Sequence, residues 1–286
     1  MIIGGERYKV IENIKIAAEN ANFYAKVEVD DPILTIEEKN KILENYFYNR
    51  NKKSFKFKSL ISRKAANICT SLLNYDTEII GLEKLKEIKG GAFITSNHFS
   101  PIENTCIRKL VRLFGKKRIN VICQATNFAM KGIIGYLMNY SDTIPLADDA
   151  HHIKEFINVL DELIKKDEYI LIYPEQEMWF NYRKPRPPKR GAYYFAAKLK
   201  TPVISCFVEI IDKEREDRKN FKKVKFKVHI LDVLYPDETK SVRESSNEMC
   251  LYDYELKKQA YEAAYNKQLD YNFLYTDIAG WNGERE

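Results

Sequence analysis

The 286-residue sequence lacks the long apolar runs of a membrane-spanning protein and has only four histidines. No segment reaches the roughly 18 uninterrupted apolar residues that a spanning helix needs. The first twenty residues are broken by charge and lack the apolar centre of a signal peptide. The five cysteines are scattered and odd in number, which is typical of buried, reduced thiols rather than a disulfide framework. His151, His152 and His229 show no spacing typical of zinc ligands, so no metal site is expected.

Acidic residues are absent from two stretches, 45–75 and 182–200, and both stretches are rich in Lys and Arg. Such basic clusters attract phosphate, whether on a lipid headgroup, on coenzyme A or on nucleic acid. The alternative for the first cluster is a solvated basic face. The second includes a proline-rich loop, Arg183 to Arg190, for which the alternative is a stiff, solvated loop.

The hydrophobic pattern divides the chain into a helical N-terminal extension at 1–75, an α/β domain at 76–237 and a helical tail at 238–286. In the extension, Thr35 and Glu38 form a capping-box pattern that predicts the start of a helix. Residues 57–74 predict a basic amphipathic helix. Such a helix either lies on an anionic membrane or packs its apolar stripe on the core.

Short apolar runs alternate with helical patterns from residue 90 onward. This alternation predicts an α/β fold with a mostly parallel sheet flanked by helices. The predicted strands are 92–96, 119–124, 170–173, 203–208 and 224–231. The predicted helices between and after them are 101–114, 127–138, 151–166, 191–198 and 247–268. The last strand, after a charged turn at 212–223, is expected to be antiparallel and to lie at the sheet edge.

Two of the predicted strands end in residues suited to acid–base chemistry. His98 follows the first strand, with Glu103 five positions later, and Glu175 follows the third. Loops at the carboxyl ends of strands in an open α/β sheet hold ligands, so the two ends can converge on one site. A histidine beside a carboxylate is a candidate general base, because the carboxylate fixes the tautomer and stabilises the imidazolium. The run Ser100-Pro101-Ile102-Glu103 also matches a capping box, so Glu103 has a second explanation at a helix start.

The sequence around these residues resembles the lysophospholipid acyltransferase family, which carries an Asn-His-x4-Asp motif and a later Phe-Pro-Glu-Gly-Thr-Arg-like motif. Asn97-His98 matches the first motif with Glu103 at the Asp position, and Tyr173-Pro174-Glu175 matches the second. Downstream, Lys189-Arg190-Gly191-Ala192 and Thr201-Pro202-Val203 match further family segments. The resemblance spans residues 91–207.

The resemblance implies that His98, oriented by Glu103, deprotonates an acceptor hydroxyl that attacks the thioester of acyl-CoA or acyl carrier protein. It implies that Glu175 helps bind the acceptor, and it requires no metal or cofactor. The family also has a glycine-rich segment ending in an arginine that holds the acceptor phosphate. Here 131–135 supplies the glycines, but no arginine occurs between residues 119 and 182.

Two explanations of the missing arginine remain open. Either a clamp of other cations replaces it or the acceptor is not lysophosphatidic acid. The candidate clamp residues are Lys131, Arg183, Arg186 and Arg190.

The resulting hypothesis is a cytoplasmic, peripheral membrane acyltransferase of phospholipid biosynthesis. Its expected partners are the acyl donor, a lysophospholipid-type acceptor and an anionic membrane surface, with no nucleic acid. The alternative function, from a different class, is that of a catalytically decayed homologue that binds anionic lipid or nucleic acid without turnover. A cysteine nucleophile, Cys106 or Cys206, is the remaining enzymatic option, although neither has a local basic partner.

Overall fold

The computed structural model describes residues 6–29, 32–147 and 149–283. Its helices are α1 (Arg7–Glu19), α2 (Ile36–Asn49), α3 (Lys53–Leu73), α4 (Asn104–Leu113), α5 (Ala125–Phe128), α6 (Gly132–Tyr140), α7 (Ile153–Ile164), α8 (Gly191–Lys198) and α9 (Val242–Tyr265). Its strands are β1 (Glu78–Ile80), β2 (Ala92–Thr95), β3 (Ile119–Cys123), β4 (Thr143–Pro145), β5 (Tyr169–Ile172), β6 (Val203–Arg218) and β7 (Phe221–Leu234).

The strands of the described residues form one sheet in the order β1-β7-β6-β2-β5-β3-β4. β6 and β7 are antiparallel, and the other neighbouring pairs are parallel. Helices α1 to α3 precede the sheet and α9 follows it. The predicted α/β class, with a mostly parallel sheet, N-terminal helices and a C-terminal helix, is confirmed.

Both faces of the central strands are covered. Every residue of β2 and β5 is buried, which explains why these strands are continuous apolar runs rather than alternating ones. Phe93 and Ile170 belong to a core cluster shared with α7, α8 and α9. Ile94 and Leu171 face the opposite cluster, which is shared with α4. A third cluster packs α1 against residues near the chain's C-terminal end, including Ile278.

The prediction that the last strand lies at the sheet edge is wrong. The short strand β1 pairs in parallel with β7 and covers that edge. The predicted charged turn at 212–223 is also wrong, because β6 and β7 continue through it as a ribbon. The reversal occurs at Lys219 and Asn220, where Asn220 adopts a φ of 62°. β1 is three residues long, too short to give an apolar pattern.

Helix α3 is oriented opposite to the expectation that its apolar stripe packs on the core. Its small polar side chains face inward, with Ser59, Ser62 and Thr70 buried. Arg63 joins them through an ion pair with Asp142 at 2.6 Å. Six large apolar side chains of the helix are exposed: Phe57, Leu60, Ile61, Ile68, Leu72 and Leu73. No described helix is both long and apolar enough to cross a bilayer.

Candidate active site

The register of the sheet brings the two predicted motifs together. β2 and β5 are parallel neighbours in which Thr95 pairs with Ile172. His98 and Glu175 each lie three residues beyond these partners, so both side chains belong to adjacent strand ends. Asn97 fixes the first loop to β6, because its side chain accepts the Val208 N–H at 2.8 Å and donates to the Val208 carbonyl at 3.0 Å.

The Glu103 carboxylate contacts both the His98 imidazole and backbone N–H groups of the loop before α4. One oxygen, Oε1, contacts Nδ1 of His98. The other, Oε2, accepts the backbone N–H groups of Phe99 at 2.5 Å and Ser100 at 2.6 Å. The side chain is buried, and α4 begins immediately after it at Asn104. The carboxylate therefore orients the histidine while its second oxygen anchors the loop that carries the histidine.

The imidazole of His98 has one nitrogen held and the other accessible. Its ring stacks on that of Tyr173, with centroids 4.1 Å apart and planes 9° apart. Burial, and then the charge of Glu103, raise the pKa of the Tyr173 phenol well above its ordinary value, so this support is neutral. The His98 side chain is 21% exposed, and no described residue hydrogen-bonds Nε2. This arrangement leaves Nε2 available to accept a proton from a substrate.

Glu175 forms a buried ion pair with Arg186 rather than opening to solvent. Glu175 Oε2 lies 3.0 Å from Nη2 of Arg186, and both side chains are at least 96% buried. Oε2 also accepts the backbone N–H of His98 at 3.1 Å, and Oε1 accepts that of Arg186 at 3.0 Å. Burial lowers the pKa of the Arg186 guanidinium, and the charge of Glu175 opposes that effect.

The loop that carries Arg186 is not the solvated loop that its composition suggested. Arg183 pairs with Asp212 at 2.5 Å and donates to the Thr276 carbonyl at 2.6 Å. Lys184 is buried against Asp277 at 2.8 Å. Each of these cations already has a carboxylate partner.

Lys131 and Arg190, the other two candidate clamp residues, have no carboxylate partner among the described residues. Lys131 is exposed at the N-terminus of α6. Arg190 is partly buried at the start of α8, and its Nη1 has no hydrogen-bond partner. The glycines beside Lys131 have a backbone explanation, because a Cβ on Gly135 would lie 1.8 Å from the Met130 carbonyl oxygen.

The sequence did not predict the contacts that three further residues make at the site. Tyr173 supports the imidazole, as described above. Trp179 is fully buried and donates its backbone N–H to the His98 carbonyl at 3.1 Å. Gln124, at the end of β3, donates to the Glu177 carboxylate at 2.6 Å. The strand pattern could have placed Gln124 at this edge, but no sequence signal indicates its partner.

Cys106 and Cys206 do not supply an activated nucleophile. Burial, and then the charge of Glu103, raise the pKa of Cys106 well above its ordinary value. Burial raises the pKa of Cys206 to about 12. Both thiols are therefore protonated at neutral pH. Within the described part of the chain, no group of three His, Cys, Asp or Glu side chains is arranged to hold a metal ion.

Comparison with known proteins gives a family match and a similar fold. Residues 76–209 match the family model described as Acyltransferase. The fold is similar to that of the 1-acyl-sn-glycerophosphate (LPA) acyltransferase PlsC from Thermotoga maritima, with a TM-score of 0.50 and 18% sequence identity. The alignment covers 91% of this chain and 97% of that one. Among curated proteins, none matches the sequence significantly.

Proposed function

We propose, from the match of residues 76–209 to the acyltransferase family model, that this chain acylates a lysophospholipid-type hydroxyl. The donor is a fatty acyl thioester of coenzyme A or acyl carrier protein. The observation that carries the proposal is the His98 imidazole, whose Nδ1 is held by buried Glu103 while Nε2 faces outward. This is the geometry of a general base with a fixed tautomer.

The reaction needs one proton acceptor and no covalent enzyme intermediate. Nε2 of His98 takes the proton of the acceptor hydroxyl as its oxygen attacks the thioester carbonyl, and Glu103 stabilises the imidazolium that forms. The tetrahedral intermediate then expels the thiolate as the C–S bond breaks. The imidazolium returns the proton to the sulfur, which leaves an ester, a thiol and the original His98.

For the acceptor phosphate we propose Lys131 and Arg190. They are the candidate cations that have no carboxylate partner among the described residues, whereas Arg183 and Arg186 are already paired. Arg190 also has a buried guanidinium nitrogen, Nη1, without a hydrogen-bond partner. Guanidinium can bind phosphate through two parallel hydrogen bonds, while lysine contributes a point charge.

Helix α3 provides the contact with the membrane in this proposal. Its large apolar side chains are exposed, and the same helix carries Lys53, Lys56, Lys58 and Lys64 with no acidic residue. Exposed apolar residues on a basic helix bind an anionic bilayer surface by burying apolar area and by electrostatic attraction. Docking through α3 would hold the enzyme at the phase that contains a lysophospholipid acceptor.

The test is turnover by the purified chain. Radiolabelled palmitoyl-CoA and palmitoyl-acyl carrier protein are each incubated with lysophosphatidic acid, lysophosphatidylglycerol and lysophosphatidylcholine, and the lipids are separated. We expect labelled diacyl product from the wild type and none from His98→Ala, with both proteins giving the same circular dichroism. Salt-sensitive lipid binding without turnover would refute the proposal and favour a decayed homologue.

Arg190→Gln and Lys131→Gln test the phosphate contacts. Each should raise the KM for lysophosphatidic acid at least tenfold and leave kcat close to the wild-type value. An unchanged KM in both variants would remove these residues from the acceptor site.

A further inference from the structure

The polar atoms of the Glu175 and Arg186 side chains form hydrogen bonds with backbone groups of the protein itself. Glu175 Oε2 accepts the His98 N–H, and Glu175 Oε1 accepts the N–H of Arg186. On Arg186, Nη1 donates to the Phe23 carbonyl at 2.7 Å, and Nη2 donates to the carbonyl of Glu177 and reaches that of His98 at 3.4 Å. These contacts leave the pair poorly placed to bind an acceptor.

The backbone of His98 is the point where the contacts of this pair meet. Its N–H is held by Glu175, and its carbonyl receives both Arg186 Nη2 and the Trp179 N–H. The guanidinium also lies over the Trp179 ring, 4.5 Å from its centroid. Both peptide groups of the histidine are therefore fixed by the loop that follows β5.

A buried ion pair is costly to form, because two charges lose their hydration. In some proteins a buried ion pair fixes one geometry among several. Here the geometry concerned is the placement of the base, because a general base must lie within hydrogen-bond reach of the proton it removes.

We propose that Glu175 and Arg186 are positioning residues for His98 and do not contact the acceptor. Arg186 joins the loop after β2, the loop after β5 and the N-terminal segment at Phe23, so that the imidazole is held against Tyr173 with Nε2 outward. This inference rests on the proposed function, in which His98 is the base.

The first experiment compares kcat with KM, using palmitoyl-CoA and lysophosphatidic acid. Arg186→Met should lower kcat at least 100-fold while the KM for the acceptor stays within about twofold. Arg186→Lys keeps the charge opposite Glu175 and should restore part of kcat. A raised KM with kcat retained would overturn the inference and make the pair an acceptor site.

The matched control is Arg7→Met. Arg7 also pairs with a carboxylate, Asp217, at 2.8 Å and also lies over aromatic rings, those of Phe180 and Phe221. It makes no contact with His98, so its loss removes comparable packing without the positioning effect. If Arg186→Met lowers kcat no more than Arg7→Met does, the inference is wrong.

A second variant covers the case in which Arg186→Met does not fold because Glu175 is left as a lone buried charge. The double variant Glu175→Gln/Arg186→Met removes both charges and keeps an amide oxygen for the His98 N–H. It should show the same loss of kcat at constant KM. A wild-type kcat in the folded double variant would overturn the inference.

Histidine NMR separates this inference from the proposed function. The ring nitrogens of His98, assigned with His98→Ala, should show one ordered state in the wild type and shifted or broadened signals in the double variant but not in Arg7→Met. Unchanged His98 signals would refute positioning even if the wild type turns over. Altered His98 signals in the double variant, together with a wild type that shows no turnover, would support positioning and refute only the reaction.

Discussion

Glu103→Gln is the change that separates the two roles of the Glu103 carboxylate. A glutamine has the same shape but replaces one oxygen by an NH2 group. The backbone N–H groups of Phe99 and Ser100 both point at Oε2, at 2.5 and 2.6 Å. The amide oxygen must face these two donors, so the NH2 group faces Nδ1 of His98.

An NH2 group at that position forces Nδ1 to accept a hydrogen bond. The proton of the neutral imidazole then sits on Nε2, which is the atom that accepts the substrate proton in the proposed mechanism. The equivalent amide substitution in a Ser-His-Asp triad lowers kcat about 10⁴-fold through the wrong tautomer. We expect a loss of the same order for Glu103→Gln, because the carboxylate is 1% exposed and water cannot replace it.

The fold should survive the substitution. The amide oxygen still accepts one or both backbone N–H groups, and exchange of a charged acceptor for a neutral one costs about 1–2 kcal/mol. The assay is the acyl transfer reaction with labelled palmitoyl-CoA, together with urea unfolding. Glu103→Asp is the companion variant: its shorter side chain cannot reach the imidazole and both amides together, so it should fall between the wild type and Glu103→Gln. If Glu103→Gln keeps kcat within about tenfold of wild type, Glu103 is a loop anchor and not the orienting residue.

Three further changes test other parts of the structure. Gln176→Gly should raise the free energy of unfolding by about 1 kcal/mol in urea titrations, because exposed Gln176 has a φ of 67° that glycine adopts without strain; a decrease would contradict this. Iodoacetamide at pH 8 should label exposed Cys69 and spare Cys206, whose pKa of about 12 leaves a thiolate fraction of about 10⁻⁴. Turnover should persist after labelling, and its loss in step with Cys206 modification would restore the cysteine mechanism. Ile68→Gln/Leu72→Gln should weaken binding to anionic vesicles about 30-fold in a flotation assay, because each side chain half-buried in the bilayer contributes about 1 kcal/mol. Equal flotation of the variant and the wild type would rule out docking through α3.

The fold was predictable where the sequence pattern is set by burial alone. β2 and β5 are covered on both faces, so their apolar runs identify them directly. Since parallel strands end at the same edge, the convergence of His98 and Glu175 also followed from the pattern. The outer ribbon of β6 and β7 is different, because neither of its faces is fully covered and its alternating charges resemble a loop.

The amphipathic pattern of α3 identified its two faces but not their orientation. A helical period shows that apolar and polar side chains lie on opposite sides. It does not show which side meets the protein. Here the small polar side packs against α4 and α6, and Ser62 contacts Ser141, the residue that follows α6, at 2.6 Å. The apolar side of α3 is therefore left exposed.

The basic loop from Arg183 to Arg190 shows why the candidate site was the least predictable part. Charged residues are rarely buried unless they are paired, so a loop without acids looks solvated when only its own residues are considered. The partners of Arg183, Lys184 and Arg186 come from Asp212, Asp277 and Glu175, which lie on three different segments. Only the folded chain brings them into reach. Once Arg186 is paired with Glu175, the same ion pair fixes the backbone of His98. A substitute for the arginine that the similar family carries therefore cannot be identified by counting nearby cations in the sequence. Whether a cation is free to bind phosphate depends on which carboxylate it meets in the folded chain.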